Sequence, residues 1–142
     1  MLDDTIQPLT GYKTRGRHSI SGLSSGAFMT VQLHVAHSAD FVGAGVIAGG
    51  PYRAAQSFRA APEAPLSCIL NSLYVAMTPM TQETAPNVDV LVAKAKATPR
   101  IDDLAHLAAQ RLYIFTGKSD RVVNQYAVRA THAFYRALGV PE

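Results

Sequence analysis

The stretch Gly22-Leu23-Ser24-Ser25-Gly26 has the form G-x-S-x-G, which makes Ser24 a candidate nucleophile. The pattern is steric in origin: the serine sits on a sharp strand-to-helix turn, and small neighbours let the strained backbone pass close to adjacent elements. The helix that follows points its N-terminus at the serine, where partial positive charge favours a developing oxyanion. The amide of Ser25 is then the candidate oxyanion-hole donor. Three fixed residues of this kind arise by chance in about one chain in twenty of this length, so the motif gains its weight from context. That context is present: a strand pattern precedes it and a helical one follows.

A nucleophilic serine needs an acid and a histidine, in the chain order serine, acid, histidine for this fold. Asp120, in Thr116-Gly117-Lys118-Ser119-Asp120, is the candidate acid. It falls just past the carboxyl end of a strand, where open α/β sheets build their sites. The alternative is a turn aspartate capping a helix that starts near Val122. None of the five histidines is a good base. His132 shares a polar face with Gln125, Arg129 and Arg136, and His106 lies near Asp102 and Asp103. His34 and His37 stand three apart on the helix after Ser24; they could form a metal pair, but no carboxylate or cysteine pattern supports it. His18 begins the strand that leads to Ser24, and six extended residues at ~3.3 Å each place it roughly 20 Å away.

The elements that must position these groups alternate between strand and helix, which predicts a parallel α/β sheet. A strand is expected at 17–21, a tight turn at 22–26, a helix over 27–39 and a buried strand over 41–48, bounded by Gly49-Gly50-Pro51. Residues 62–86 carry four prolines, with a helix between Ser67 and Ala76, and are expected to form a cap-like insertion over the sheet. A helix capped by Asn87 is expected over 87–97, with Pro99 beyond its end. A short amphipathic helix over 102–110 leads into a strand at 112–116. The last helix carries an apolar stripe of Val123, Tyr126, Ala127, Ala130, Phe134 and Leu138, with Gly139 and Pro141 as stop signals. After it the sheet would need another strand, so the expected unit is one partial catalytic domain over 1–142.

Composition narrows the classes. The 142 residues suffice for one domain, and 48% hydrophobic against 16% charged residues is an ordinary globular balance. The net charge of +3 is scattered, and the cluster from Lys13 to Arg17 is a solvated lead-in, so no nucleic-acid partner is expected. Cys68 is the single cysteine, which rules out a disulfide within the chain and is compatible with a reducing, cytoplasmic compartment. The first residues are acidic, without the apolar core of a secretory signal, and no stretch is long enough to span a bilayer. There is no P-loop, no G-x-G-x-x-G after a strand and no metal pattern, so no cofactor is expected.

The segments Ser21 to Thr30, Val42 to Tyr52 and Phe115 to Asp120 resemble poly(3-hydroxybutyrate) depolymerases and related polyester esterases, in the right order and across most of the chain from Ile20 onward. The resemblance implies a circularly permuted α/β-hydrolase fold with Ser24 as nucleophile and Asp120 as triad acid. It also implies that the histidine and second oxyanion donor come from later sequence, and that the protein is extracellular. The family's cysteine after the Gly-Gly-Pro-Tyr segment is replaced by Arg53-Ala54-Ala55, so Cys68 lacks the disulfide partner the resemblance implies. The implied activity is hydrolysis of a short-chain polyhydroxyalkanoate or its oligomers through an acyl-enzyme. The alternatives are a catalytically incomplete hydrolase that only binds polyester or lipid, and a general small-ester carboxylesterase.

Overall fold

The computed structural model describes residues 16–58 and 66–141 together with Gly11 and Lys13; for 66–71 the backbone alone is described. Arg15, Pro62, Pro65 and the Cys68 side chain, which entered the expectations above, lie outside the described residues.

Three strands, β1 (His18–Leu23), β2 (Phe41–Ile47) and β3 (Arg111–Phe115), form a parallel sheet in the order β1-β2-β3. Helix α1 (Ser25–Ala36) links the first two strands. Between β2 and β3 come a 3₁₀ turn (Ala54–Ser57), α2 (Leu66–Met77), α3 (Val88–Lys96) and a second 3₁₀ turn (Leu104–Ala109). Helix α4 (Gln125–Ala137) follows β3. The register aligns Ser21 with Gly45 and Tyr113, and Leu23 with Ile47 and Phe115, across the three strands.

The strand and helix order is the expected one; the boundaries moved where backbone geometry overrides composition. β1 runs through Gly22 to Leu23, because the bend falls at Ser24 itself. Accordingly α1 starts at Ser25 rather than Ala27 and ends at Ala36. The expected helix at 102–110 is a 3₁₀ turn whose first amides are met by Asp103 Oδ1, which accepts from Ala105 N–H at 2.9 Å. The chain past Asp120 is not yet helical. Asn124 is the true cap of α4, its side chain accepting from Tyr126 N–H at 3.0 Å, and helix begins at Gln125. Asn87 caps α3 as expected, and Lys94 and Lys96 sit in its last turn, where cations complement the helix dipole.

At its far end α4 closes in a Schellman arrangement. Gly139 takes φ +85°, with Gly139 N–H bonded to Arg136 O and Val140 N–H to Tyr135 O. The expected stripe is buried at Val123, Ala127, Ala130 and Phe134, joined by Val128, Thr131 and Tyr135. The segment 62–86, with its helix between Ser67 and Ala76, is expected to cap the sheet; among the described residues α2 packs chiefly on the 3₁₀ turn at 54–57.

The main core joins α1 (Ala27, Val31, Val35), β2 (Val46), α3 (Leu91, Ala95) and α4 (Phe134, Tyr135), with Leu112 and Ile114 of β3 packed against it. These strand residues alternate with Leu23, Tyr113 and Phe115, which are 64%, 61% and 51% exposed. Among the described residues, therefore, the helices cover one face of the sheet and leave the other bare.

Candidate active site

Ser24 joins β1 to α1 with φ 55° and ψ −122°, a conformation that L-residues other than glycine rarely adopt. Strain of this kind costs on the order of 1–3 kcal/mol and persists only where the surroundings impose it. Two hydrogen bonds do so: Ser24 N–H donates to Ile47 O at 3.0 Å, and Ser24 O accepts from Phe28 N–H at 3.0 Å. The bend thus ties the end of β2 to the first turn of α1.

The two motif glycines have different tasks. A Cβ on Gly22 would lie 2.3 Å from the carbonyl carbon and oxygen of Gly26 and 2.7 Å from Ala27 N, so nothing larger than hydrogen fits. A Cβ on Gly26 would meet nothing within 4 Å. Close approach explains Gly22 and leaves Gly26 without a steric reason. Further along, a Cβ on Gly49 would come 2.6 Å from Ala27 Cβ, and one on Gly50 would strike the Phe28 ring. Gly49-Gly50-Pro51 is therefore part of the packing that holds the start of α1 in place.

Ser25 is the first residue of α1, where backbone N–H groups have no intrahelical acceptor and the helix dipole is positive. Ala48, just past β2, also has positive φ (52°), and its N–H donates to Phe115 O at 2.9 Å. Composition gave no sign of this second bend. A cavity of about 410 Å³ opens beside Ser25 between α1 and α2, walled by Phe28, Met29, Gln32, Leu73 and Met77 among others.

Asp120 lies in the loop after β3, two strands from Ser24 and on the same carboxyl edge of the sheet. At ~4.8 Å per strand, β1 and β3 are separated by about 10 Å. Asp120 Oδ1 accepts from Val122 N–H at 2.8 Å and Val123 N–H at 2.9 Å. This is an Asx-type turn rather than a helix cap, since α4 starts five residues later, at Gln125. Nothing among the described residues donates to Oδ2. Close by, at the end of β3, the buried Thr116 hydroxyl has no hydrogen-bond partner.

The histidines lie elsewhere. His18, His37, His106 and His132 are exposed, His18 at the amino end of β1 and His37 at the far end of α1. His34 is 1% exposed, bonded through Nδ1 to the Tyr135 hydroxyl at 2.8 Å and through Nε2 to Gln110 Oε1. Gln110 Nε2 donates to Ser38 O, which assigns Oε1 as acceptor, so His34 carries its proton on Nε2 and Tyr135 donates to Nδ1. Burial holds the His34 pKa below its usual value, with the Gln110 bond partly opposing, and burial also raises that of Tyr135. His34 is a neutral core residue and not half of a metal pair. No group of three or more His, Cys, Asp or Glu suited to a metal occurs among the described residues, and no helix there is long and apolar enough to cross a membrane.

No family model matches the chain. Known proteins do. A poly(3-hydroxybutyrate) depolymerase of Delftia acidovorans is 35% identical over 120 residues, 84% of this chain and 22% of that protein. A polyhydroxybutyrate depolymerase of Talaromyces funiculosus is 37% identical over 106 residues, 74% of this chain and 27% of that protein. Among solved structures, a PHB depolymerase complexed with an R3HB trimer superposes with a TM-score of 0.66 at 29% identity, over 87% of this chain and 34% of that one. The PHB depolymerase of Penicillium funiculosum gives 0.65 at 31% identity, over 84% and 33%. The chain spans between about a fifth and a third of the length of these proteins. In sequence and in fold it is a homologue of one segment of the poly(3-hydroxybutyrate) depolymerases.

Proposed function

We propose that the chain carries the nucleophile and acid of a serine esterase acting on short-chain polyhydroxyalkanoate, poly(3-hydroxybutyrate) or its oligomers. The observation that carries this reading is the strained Ser24 at a strand-to-helix bend, with the first amides of α1 beside it. A backbone held at φ 55° has a steric cost and no packing benefit for a serine side chain. In the proposed reaction Ser24 Oγ attacks the ester carbonyl as its proton passes to a base, forming a tetrahedral oxyanion. The Ser25 N–H donates to that oxyanion, the alcohol leaves with the proton, and water then cleaves the acyl-enzyme. Asp120 Oδ2 orients the base. The largely apolar cavity beside Ser25 suits the acyl portion of the substrate. The polyester class follows from the relatives, whose names specify poly(3-hydroxybutyrate) and, in one solved complex, an R3HB trimer.

The positions of the histidines favour a second reading of the isolated chain: a catalytically incomplete hydrolase whose base comes from a further segment or a second polypeptide. Hydrolysis of a short-chain nitrophenyl ester and of 3-hydroxybutyrate oligomers, with Ser24→Ala as control, tests both. Ser24-dependent turnover by the chain alone supports the first reading and sinks the second. A rate equal to the control leaves the first reading only if turnover appears when a histidine-bearing partner is added. Turnover of nitrophenyl ester but not of oligomers would indicate a small-ester carboxylesterase instead.

A further inference from the structure

The cavity between α1 and α2 is larger and more uniformly apolar than a 3-hydroxybutyryl unit requires. Ser25, Phe28, Met29 and Gln32 stand at i, i+3, i+4 and i+7, so one face of α1 forms one wall. Seven residues at 1.5 Å each carry that wall about 10 Å along the helix from Ser25. Leu73 and Met77, four apart on α2, supply another wall, and the 3₁₀ turn at 54–57 contributes Ala54 and Ala55. The polar groups along these walls are already engaged. Gln32 Oε1 accepts from Arg53 N–H at 3.0 Å, Gln32 Nε2 donates to Phe28 O at 3.2 Å, and the Arg53 guanidinium donates to Thr98 Oγ1. Gln56 O accepts from Lys94 Nζ at 3.0 Å, and Ser72 is not free either. No acidic side chain lines the cavity among the described residues. A polar ligand would find few unmet partners there, whereas a hydrocarbon would bury against Phe28, Met29, Leu73 and Met77.

Volume selects the hydrocarbon. The side chain of a 3-hydroxybutyryl unit is a single methyl, while an apolar cavity of about 150 Å³ already holds a benzene ring. At about 410 Å³ this cavity would stay mostly unfilled around a methyl. Its walls also differ in stiffness. Phe28 is fixed, since its N–H donates to Ser24 O and its ring occupies the space a Cβ on Gly50 would need. Met29 and Met77 are unbranched thioethers that can reshape around a flexible chain. We infer that the cavity binds the alkyl side chain of a medium-chain 3-hydroxyalkanoate ester, one with about five carbons or more where 3-hydroxybutyrate carries a methyl. Delivery of that ester to Ser24 rests on the hydrolase reading; the preference for the longer alkyl chain does not.

The test is to label the methionine methyls of the full chain carrying Ser24→Ala, and to titrate it by NMR with methyl 3-hydroxyoctanoate and with methyl 3-hydroxybutyrate. The octanoate should shift the Met29 and Met77 methyls and leave that of Met80, which is 77% exposed and does not line the cavity, in place. It should bind at least about 10-fold more tightly than the butyrate, because each methylene removed from water is worth up to about fourfold. Leu73→Trp fills the cavity from α2 and should abolish that preference. Ala55→Phe fills it from the 3₁₀ turn and keeps the measurement decisive if Leu73→Trp misfolds. Equal affinity for the two esters, a shift confined to Met80, or a preference indifferent to both filling variants overturns the inference. Selective binding of the octanoate without Ser24-dependent hydrolysis by the unsubstituted chain, alone or with a histidine-bearing partner, keeps the alkyl pocket and sinks the hydrolase reading. Ser24-dependent hydrolysis with no preference for chain length does the reverse.

Discussion

The two ends of the sheet are built to opposite rules. At the amino end, His34, Gln110, Ser38 and Tyr135 satisfy one another in a closed buried network, and Phe41 packs on the imidazole. At the carboxyl end, two non-glycine residues hold positive φ, the Thr116 hydroxyl is buried without a partner, and Leu23, Phe115 and Val122 face outward. One end therefore contributes stability, and the other holds strain and exposed apolar surface that only function or a partner explains. Polar residue types alone do not distinguish them, since a buried histidine sits at the stable end and none at the strained one.

The largest effects should come from the strained end. Where hydrolysis is measurable, in the chain or in its complex, Ser24→Ala should lower the rate at least ~10³-fold, as loss of a nucleophile does. A smaller change would move the chemistry away from Ser24. Next in size is Gly22→Ala, which forces a methyl to 2.3 Å from the Gly26 carbonyl and should cost about 3 kcal/mol or more in denaturant unfolding. Gly26→Ala should be neutral or gain up to ~1 kcal/mol, because it replaces a helical glycine facing open space. Equal effects at the two glycines would mean that close approach is not what the motif requires.

Much of this was legible beforehand because the signals were local. The elbow, the Asn87 cap and the stop at Gly139 each depend on a few consecutive residues whose geometry the backbone then adopts. The position of Asp120 just past a strand's carboxyl end is also local, since it follows from the strand pattern immediately before it. Three features were not legible. The role of His34 depends on Tyr135, 101 residues away, and on Gln110, 76 away, and its three-residue spacing from His37 says nothing of either. The bend at Ala48 uses a residue that normally avoids positive φ, and only its bond to Phe115 O imposes it. The bare face follows from which side the helices take, and a strand of alternating pattern is compatible with either.

The stable end should reveal itself through pH. Because burial lowers the His34 pKa, the unfolded chain takes up a proton near pH 6.5 where the folded chain resists it. The contribution of this group is fully present above about pH 6.5 and is lost as pH falls from there toward the lowered folded value. Tyr135 sets the opposite limit: its raised pKa keeps the folded hydroxyl protonated, so stability falls as pH climbs above about 10, where the unfolded phenol ionises. Melting temperatures measured between pH 5 and 8 should fall on the acid side, and Tyr135→Phe should cost about 1–3 kcal/mol at pH 7.5 by leaving the Nδ1 acceptor of His34 buried and unmet. A flat profile with an unperturbed Tyr135→Phe would make the network incidental.

The smallest effect sharpens the contrast from the other side. Ser24→Gly removes the hydroxyl together with the reason for strain, since glycine takes φ 55° without steric cost. Glycine also has the larger unfolded-state entropy, which offsets part of the gain. The sum is a stabilisation of at most about 1 kcal/mol, small beside the loss of hydrolysis but opposite in sign to what a serine chosen for packing would give. A clear destabilisation in chemical denaturation would show that the Ser24 side chain supports the fold, and the carboxyl end would then no longer differ in kind from the His34 end.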